Sequence, residues 1–402
     1  MKYRYTATSR DGKVENGKIE APDASAAAEQ IRRTGLLVVS LRKEGGGILE
    51  GLLAIGWVPN VIKVTFTKHL SLMIKAGLPV DEAIRVLRDQ GDGRFKKVLS
   101  GVLRSVEQGQ PLSDGFAEFP TVFSELFVST IRAGEASGSL DKALDDLSLQ
   151  LTKSFDLQRK IRGAMIYPIL VLTAAGGIGV GLSFFVLPKI LKLFESITVE
   201  LPFATRMLLA FSNFLVQHGT VFFIGCIVGV IGLVNFLKLK PVKPFSHLVL
   251  LKIPVFGKLA RDYNLAAFAR TMSTLLKAGI VIGDAFLVTA NTISNVRYKK
   301  ALMRVKEGAE SGVPASTVLE EFPKLFPLLS TRMLAVGERT GKLEDTFGYL
   351  AEFYEDEVDA TTKNLSTILE PVLLIVIGLT VAYIAIAIIS PIYNFIGNIQ
   401  RL

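Results

Sequence analysis

The chain repeats itself, and no other feature limits its possible folds as much. Phe66 is answered by Phe268 and Lys75-Ala-Gly77 by Lys277-Ala-Gly279, an offset of 268 − 66 = 202. After one inserted residue the offset becomes 203. Arg94-Phe-Lys-Lys97 is then answered by Arg297-Tyr-Lys-Lys300, Pro111 by Pro314, and Glu118-Phe-Pro120 by Glu321-Phe-Pro323. The pairing continues through Gly134-Glu135-Ala-Ser-Gly138-Ser-Leu140 against Gly337-Glu338-Arg-Thr-Gly341-Lys-Leu343. It ends on two apolar runs, entered at Tyr167-Pro168 and at Glu370-Pro371. Matches kept in this order mark a duplicated unit, so features common to both copies can be separated from features of one.

Three runs, Ile169 to Leu187, Val221 to Leu237 and Val372 to Ile389, contain no Asp, Glu, Lys or Arg. About 20 helical residues rising about 1.5 Å each cross a hydrocarbon core of about 30 Å, so three transmembrane helices are expected. Prolines bracket the duplicated pair, Pro168 with Pro188 and Pro371 with Pro391. A proline in the first helical turn costs no backbone bond and one beyond the end stops the helix, which predicts spans that begin and end at these residues. Because a single unmatched span separates the copies, both soluble units fall on one side of the membrane and the repeat is parallel.

The net charge of +9 could suit nucleic acid, anionic lipid or cytoplasmic loops. The basic residues adjoin the spans, Lys153, Arg159, Lys160 and Arg162 before the first and Lys238, Lys240 and Lys243 after the second. That placement favours cytoplasmic flanks, a cytoplasmic N-terminus and a periplasmic C-terminus, and no nucleic-acid partner. Met1-Lys-Tyr-Arg-Tyr5 has no apolar h-region, so the first span is expected to act as the targeting signal. Cys226, the single cysteine, leaves no disulfide or cysteine metal cluster within one chain.

The fold class expected is an all-α membrane protein with two tandem cytoplasmic helical bundles, three transmembrane helices and a small α+β N-terminal module. Alternation at Tyr3, Tyr5 and Ala7, a turn at Asp11-Gly12 and an alanine-rich helix capped at Asp23 give a β-β-α-β module over 1–44. A linker covers 45–64, the first helical repeat 65–167 and its span 168–188. A periplasmic loop, 189–217, leads to the second span, 218–237. A cytoplasmic connector, 238–265, precedes the second repeat, 266–370, its span 371–391 and a periplasmic tail, 392–402. Within the first repeat, Phe66, Leu70, Met73 and Ile74 share one helical face, as do Leu140, Leu144, Leu147 and Leu151.

Gly337 to Leu343 resembles a phosphate loop and fails as one. The glycine spacing is one residue short, Leu343 stands where a hydroxyl would hold magnesium, and the twin of Lys342 is Ser139. The shared glycines and glutamate suit a helix stop and restart, with Gly134, Gly138, Gly337 and Gly341 permitting the turn, as Gly77 and Gly279 do earlier. Glu135 and Glu338 either cap exposed backbone N–H groups or meet a basic partner. Glu352, Glu355, Asp356 and Asp359 fall on one helical face, suited to calcium or, more commonly, to solvent. Their twins include Lys153, and the basic segment from Lys153 to Arg162 faces an acidic counterpart from Glu352 to Lys363, so the two membrane-proximal helices are expected to attract. Glu370 with Pro371 sits at the membrane boundary, like Pro168. His69, His218 and His247 are scattered without metal-ligand spacing or a neighbouring nucleophile, so neither enzyme activity nor a cofactor is expected. The absence of acids within the spans disfavours a transporter or channel subunit.

With these units laid out, the chain resembles the inner-membrane platform proteins of type IV pilus and type II secretion machines, the PilC/GspF family. The resemblance is carried by Phe66-Thr-Lys-His-Leu70 to Ala76-Gly-Leu-Pro79, Tyr167-Pro168, Val186-Leu-Pro188 and Leu201-Pro202 with Thr205-Arg206. It continues through Phe268-Ala-Arg-Thr271 to Lys277-Ala-Gly279 and Glu370-Pro371 with Pro391. The chain departs from it at Ile280-Val-Ile282, where a proline would follow the glycine. The resemblance implies a homodimeric platform in the bacterial inner membrane, docked to a hexameric assembly or retraction ATPase. Pilin subunits and other inner-membrane assembly proteins would be its further partners. A secretion or DNA-uptake platform is the alternative within the family.

Overall fold

The computed structural model describes residues 2–8, 14–20, 30, 37–44, 58–182, 185, 202–238 and 256–399. At the N-terminus the alternating residues form β1 (Lys2–Thr8), β2 (Val14–Glu20) and β3 (Leu37–Glu44). They make one antiparallel sheet in the order β2-β1-β3, with a register shift between Thr6 and Ala7 on the β3 side. The helix expected from Asp23 to Gly35 lies outside the described residues apart from Gln30, and so does the linker up to residue 57.

The first repeat consists of α1 (Asn60–Lys75), α2 (Val80–Gln90), α3 (Gly93–Glu107), α4 (Leu112–Ala117), α5 (Glu125–Ala136) and α6 (Leu140–Gly181). After α7 (Phe203–Lys238) the second repeat follows the same plan: α8 (Phe256–Lys277), α9 (Ile282–Thr292), α10 (Val296–Glu310), α11 (Ala315–Glu320), α12 (Leu328–Thr340) and α13 (Leu343–Ile399). The starts of α2, α4 and α11 come directly after Pro79, Pro111 and Pro314, whose fixed φ presets the entry. Each bundle closes on aromatic rings. Phe66, Phe95, Phe116, Phe123 and Phe127 meet in the first, with Phe116 and Phe123 centroids 4.5 Å apart. Phe268, Phe286, Phe326, Phe347 and Tyr298 meet in the second. Burying one such ring contributes about 1.5–3 kcal/mol, and a good edge-to-face pair about 0.5–1.5 kcal/mol more.

The chain departs from the sequence reading at the element boundaries. Pro168 does not open a helix but lies inside α6, and Pro371 and Pro391 lie inside α13, which runs on to Ile399. Each missing N–H removes one bond from its helix, yet the flanking turns hold, so repeat and apolar segment are one continuous helix. The expected loop 189–217 is helical from Phe203, the connector 238–265 is helical from Phe256, the linker 45–64 is already α1 from Asn60, and the tail 392–402 is helical through Ile399. Residues 189–201, apart from their sequence, and 239–255 lie outside the described residues.

Among the described residues two helices are long and apolar enough to cross a membrane, Leu140–Gly181 and Leu343–Ala387. Their apolar side chains, among them Leu170, Ile178, Ile375 and Leu379, are exposed rather than packed in the protein, as expected of surfaces solvated by lipid. Near the start of α7, Thr205 Oγ1 donates to the Ala387 carbonyl at 2.6 Å, so that end of α7 lies beside the far end of α13.

Candidate functional site

The glycine-glutamate stretch resolves into two devices that recur in each repeat. Gly138 (φ 67°) and Gly341 (φ 70°) hold the left-handed conformation that ends α5 and α12. The N–H of the next residue returns to Gly134 at 2.8 Å and to Gly337 at 3.0 Å. Gly77 and Gly279 end α1 and α8 in the same way. Gly134 and Gly337 serve a different purpose. A Cβ at Gly134 would collide with Ala143 Cβ, and one at Gly337 would come within 2.5 Å of Thr346 Oγ1, so these two glycines let α5 lie against α6 and α12 against α13.

The glutamates cap a helix well away from their own turn. Glu135 accepts from the Leu112 N–H at 2.5 Å and the Ser113 N–H at 3.0 Å. Glu338 accepts from the Ala315 N–H at 2.6 Å and from the N–H and hydroxyl of Ser316. A carboxylate at the first turn satisfies orphan donors and sits favourably in the helix dipole, which stabilises α4 and α11, each only six residues long. The capping alternative therefore holds for both glutamates, at the helix before their own.

The two repeats meet along a charged seam. Arg270 on α8 donates to Glu355 on α13 at 2.7 Å, with both side chains nearly buried, and Lys153 on α6 reaches the other Glu355 oxygen at 3.3 Å. Further along, Lys160 meets Asp359 at 2.8 Å. Lys160 first, and Lys363 on α13 second, hold the Asp359 carboxyl below the usual carboxylate range. Gln150 donates to Thr271 Oγ1 at 3.2 Å and Gln158 to the Tyr263 hydroxyl at 3.3 Å, while Leu126, Leu157, Ile161 and Met165 of the first repeat pack into the core of the second. The attraction between basic and acidic helices thus operates within one chain. Glu355 is committed to Arg270 and Lys153 and Asp359 to Lys160 and Lys363, so these two members of the acidic face serve cationic side chains. Asp356 points instead into a cleft of about 820 Å³ beside Asn60, Val61, Thr152, Asp156 and Arg159. Glu370 and Pro371 are exposed on α13, away from the seam.

Below the seam is a second polar cluster. Asp262 is buried beside Arg261, and burial pushes its carboxyl up against the pull of Arg261 and Lys258. Nearby, the Tyr298 hydroxyl donates to the Leu325 carbonyl at 2.9 Å, and Ser330 shares a 2.6 Å bond with the Tyr354 hydroxyl.

The family profile described as "Type II secretion system (T2SS), protein F" matches the chain twice, over 66–188 and 268–391. This chain belongs to that family. A second profile, "Type II secretion system protein F, N-terminal domain", matches residues 1–42. The chain is 34% identical over 403 residues to the type IV pilus assembly protein PilC of Myxococcus xanthus, covering 99% of this chain and 96% of the relative. It is 32% identical to the PilC of Thermus thermophilus, over 99% of both chains. To the type II secretion system protein F of Vibrio cholerae it is 29% identical, again over 99% of both. Each match to the protein F profile runs from the first helix of a repeat into the apolar part of its last, so the family unit includes both its soluble bundle and the helix leaving it. The duplication read from sequence is therefore two tandem protein F domains.

Arg270 was missed by the sequence reading, although its twin Lys68 keeps the charge and offered a signal. Gln150 and Tyr263 gave none, since their twins are Phe353 and Val61.

Proposed function

We propose that this protein is the inner-membrane platform of a type IV pilus assembly machine, coupling a cytoplasmic hexameric ATPase to the insertion or extraction of pilin subunits. The observation that carries this reading is the continuity of α6 and α13, each of which leaves its soluble bundle and enters the apolar segment without a break. Movement imposed on the bundles therefore reaches the lipid-facing segment along unbroken backbone, without chemistry by the protein. The seam supports a moving role, because Gln150 Oε1 and Arg270 Nη2 are buried there without a hydrogen-bond partner among the described residues. Such atoms cost about 1–3 kcal/mol each and gain a partner when the surface repacks. In this reading both repeats face the cytoplasm, α7 completes three spans, and the C-terminus is periplasmic. The Thr205 bond to Ala387 supports that topology by pairing the start of α7 with the outer end of α13.

The second reading, a type II secretion platform, is favoured by the full-length match to protein F of Vibrio cholerae. One deletion strain separates the two: loss of surface pili with secretion intact is expected, and the converse selects secretion. Intact pili and secretion together, with no hexameric ATPase co-purifying in detergent, would sink the platform reading. A Gly-Gly insertion after Arg162 is expected to keep ATPase co-purification while abolishing filaments.

A further inference from the structure

We propose that the seam inside one chain recurs between chains, the back of the second repeat in one copy seating on the front of the first repeat in another. Within the chain, the back of the first repeat (α5 and α6) packs on the front of the second (α8, α9 and one face of α13). Unlike faces meet, so the arrangement is head to tail and leaves one face of each kind open. The positions buried at the closed seam are exposed at their twins. Leu126 on the back of the first repeat is 3% exposed, and its twin Leu329 is 47% exposed. On the front of the second repeat Thr274 is 5% exposed, and its twin Leu72 is 67% exposed.

The groove repeats too. On the second repeat, α6 fills the space between Tyr263 and the Glu355–Asp359 face, through Leu157 and Gln158. The twin of that space is the 820 Å³ cleft between Asn60-Val61 and the Thr152, Asp156 and Arg159 face, which no side chain fills among the described residues. The charges also correspond. The twins of Lys160 and Asp359, paired at 2.8 Å, are Lys363 and Asp156. Lys363 is highly exposed and among the described residues bonds only to Asp359, one turn back on its own helix. The twins of Lys153 and Arg270, which share Glu355, are Asp356 and Lys68, an acid arriving where a base waits. A second copy of this chain therefore finds both shape and charge already provided. With the apolar helices of both copies held in one bilayer, a pair closed by two such contacts is the smallest arrangement that covers both open faces.

The test uses full-length protein in membranes, with Cys226→Ser in every copy. Asp156→Cys is placed in one tagged population and Lys363→Cys in another, and the two are co-expressed. Mixed disulfides between the tags are expected, without disulfides between two copies of the same variant. Same-variant disulfides would mean that like faces meet, and absence of the mixed product would leave the cleft to a different occupant; either result overturns the proposal. Separately, Lys363→Glu is expected to weaken capture of one tagged copy by the other in detergent about fivefold. Adding Asp156→Lys in the partner copy should restore capture, an outcome that a general folding defect would not give, and failure to restore it counts against the pairing.

Discussion

The two repeats share a backbone plan and differ in which surface they have given up. Their turns, their glutamate caps and the lengths of their second, third and fourth helices coincide, yet their cores are filled from different positions. The first repeat places rings at Phe116 and Phe127, where the second has Leu319 and Ser330; the second places rings at Phe286 and Phe347, where the first has Ile84 and Leu144. Ring volume has moved within the bundle while the total is maintained, which close-packed cores tolerate. The outer faces have not been conserved in this way. The front of the second repeat carries Arg270, Thr271 and Thr274 under a partner, and the same positions of the first are Lys68, His69 and Leu72 in the open. Core rings can thus trade positions without changing the fold, whereas twin positions that differ in exposure report which face is covered.

The largest expected difference tests that division directly. Arg270→Ala leaves Glu355 nearly buried with only Lys153 near it and should cost about 3 kcal/mol, whereas Lys68→Ala on the exposed twin should stay within about 0.5 kcal/mol. Thermal unfolding of the detergent-solubilised protein measures both, and equal effects would break the comparison. The two packing glycines sharpen it. Gly134→Ala meets the Cβ of Ala143, which cannot rotate away, and should cost about 2 kcal/mol; Gly337→Ala meets the Thr346 hydroxyl, which can turn aside, and behind it the Thr346 Cβ at 3.0 Å, which cannot, and should cost about 1 kcal/mol. The smallest effect concerns acid. The folded-state pKa of Asp359 is depressed by Lys160 and Lys363, so its contribution is present above the unfolded value and is lost as pH falls through the folded one. Lys160→Gln should flatten the decline in melting temperature below about pH 5, and Lys363→Gln should flatten it less.

The duplication, the helical class and the turn glycines were legible because each is local: an offset, a period, a residue type that a turn requires. Element ends were not, because prolines read as boundaries sit inside helices that neighbouring turns sustain at Pro168 and Pro371. The glutamates were legible as polar devices and not as caps on α4 and α11, since the partner N–H groups at Leu112 and Ala315 lie more than 20 residues upstream. The attraction of the basic and acidic helices could be read from charge alone. Its centre at Arg270 could not, because one arginine in an amphipathic helix does not announce which neighbour it will reach.

The continuity of α13 has a mechanical consequence. At about 1.5 Å per residue its 57 residues extend roughly 85 Å, so tilting one end by about 5° sweeps the other sideways by about 7 Å, more than one helical turn. A slight adjustment where Arg270 and Lys153 grip Glu355 is thus magnified at the far end of the apolar segment, and the bundle end is the short arm of a lever.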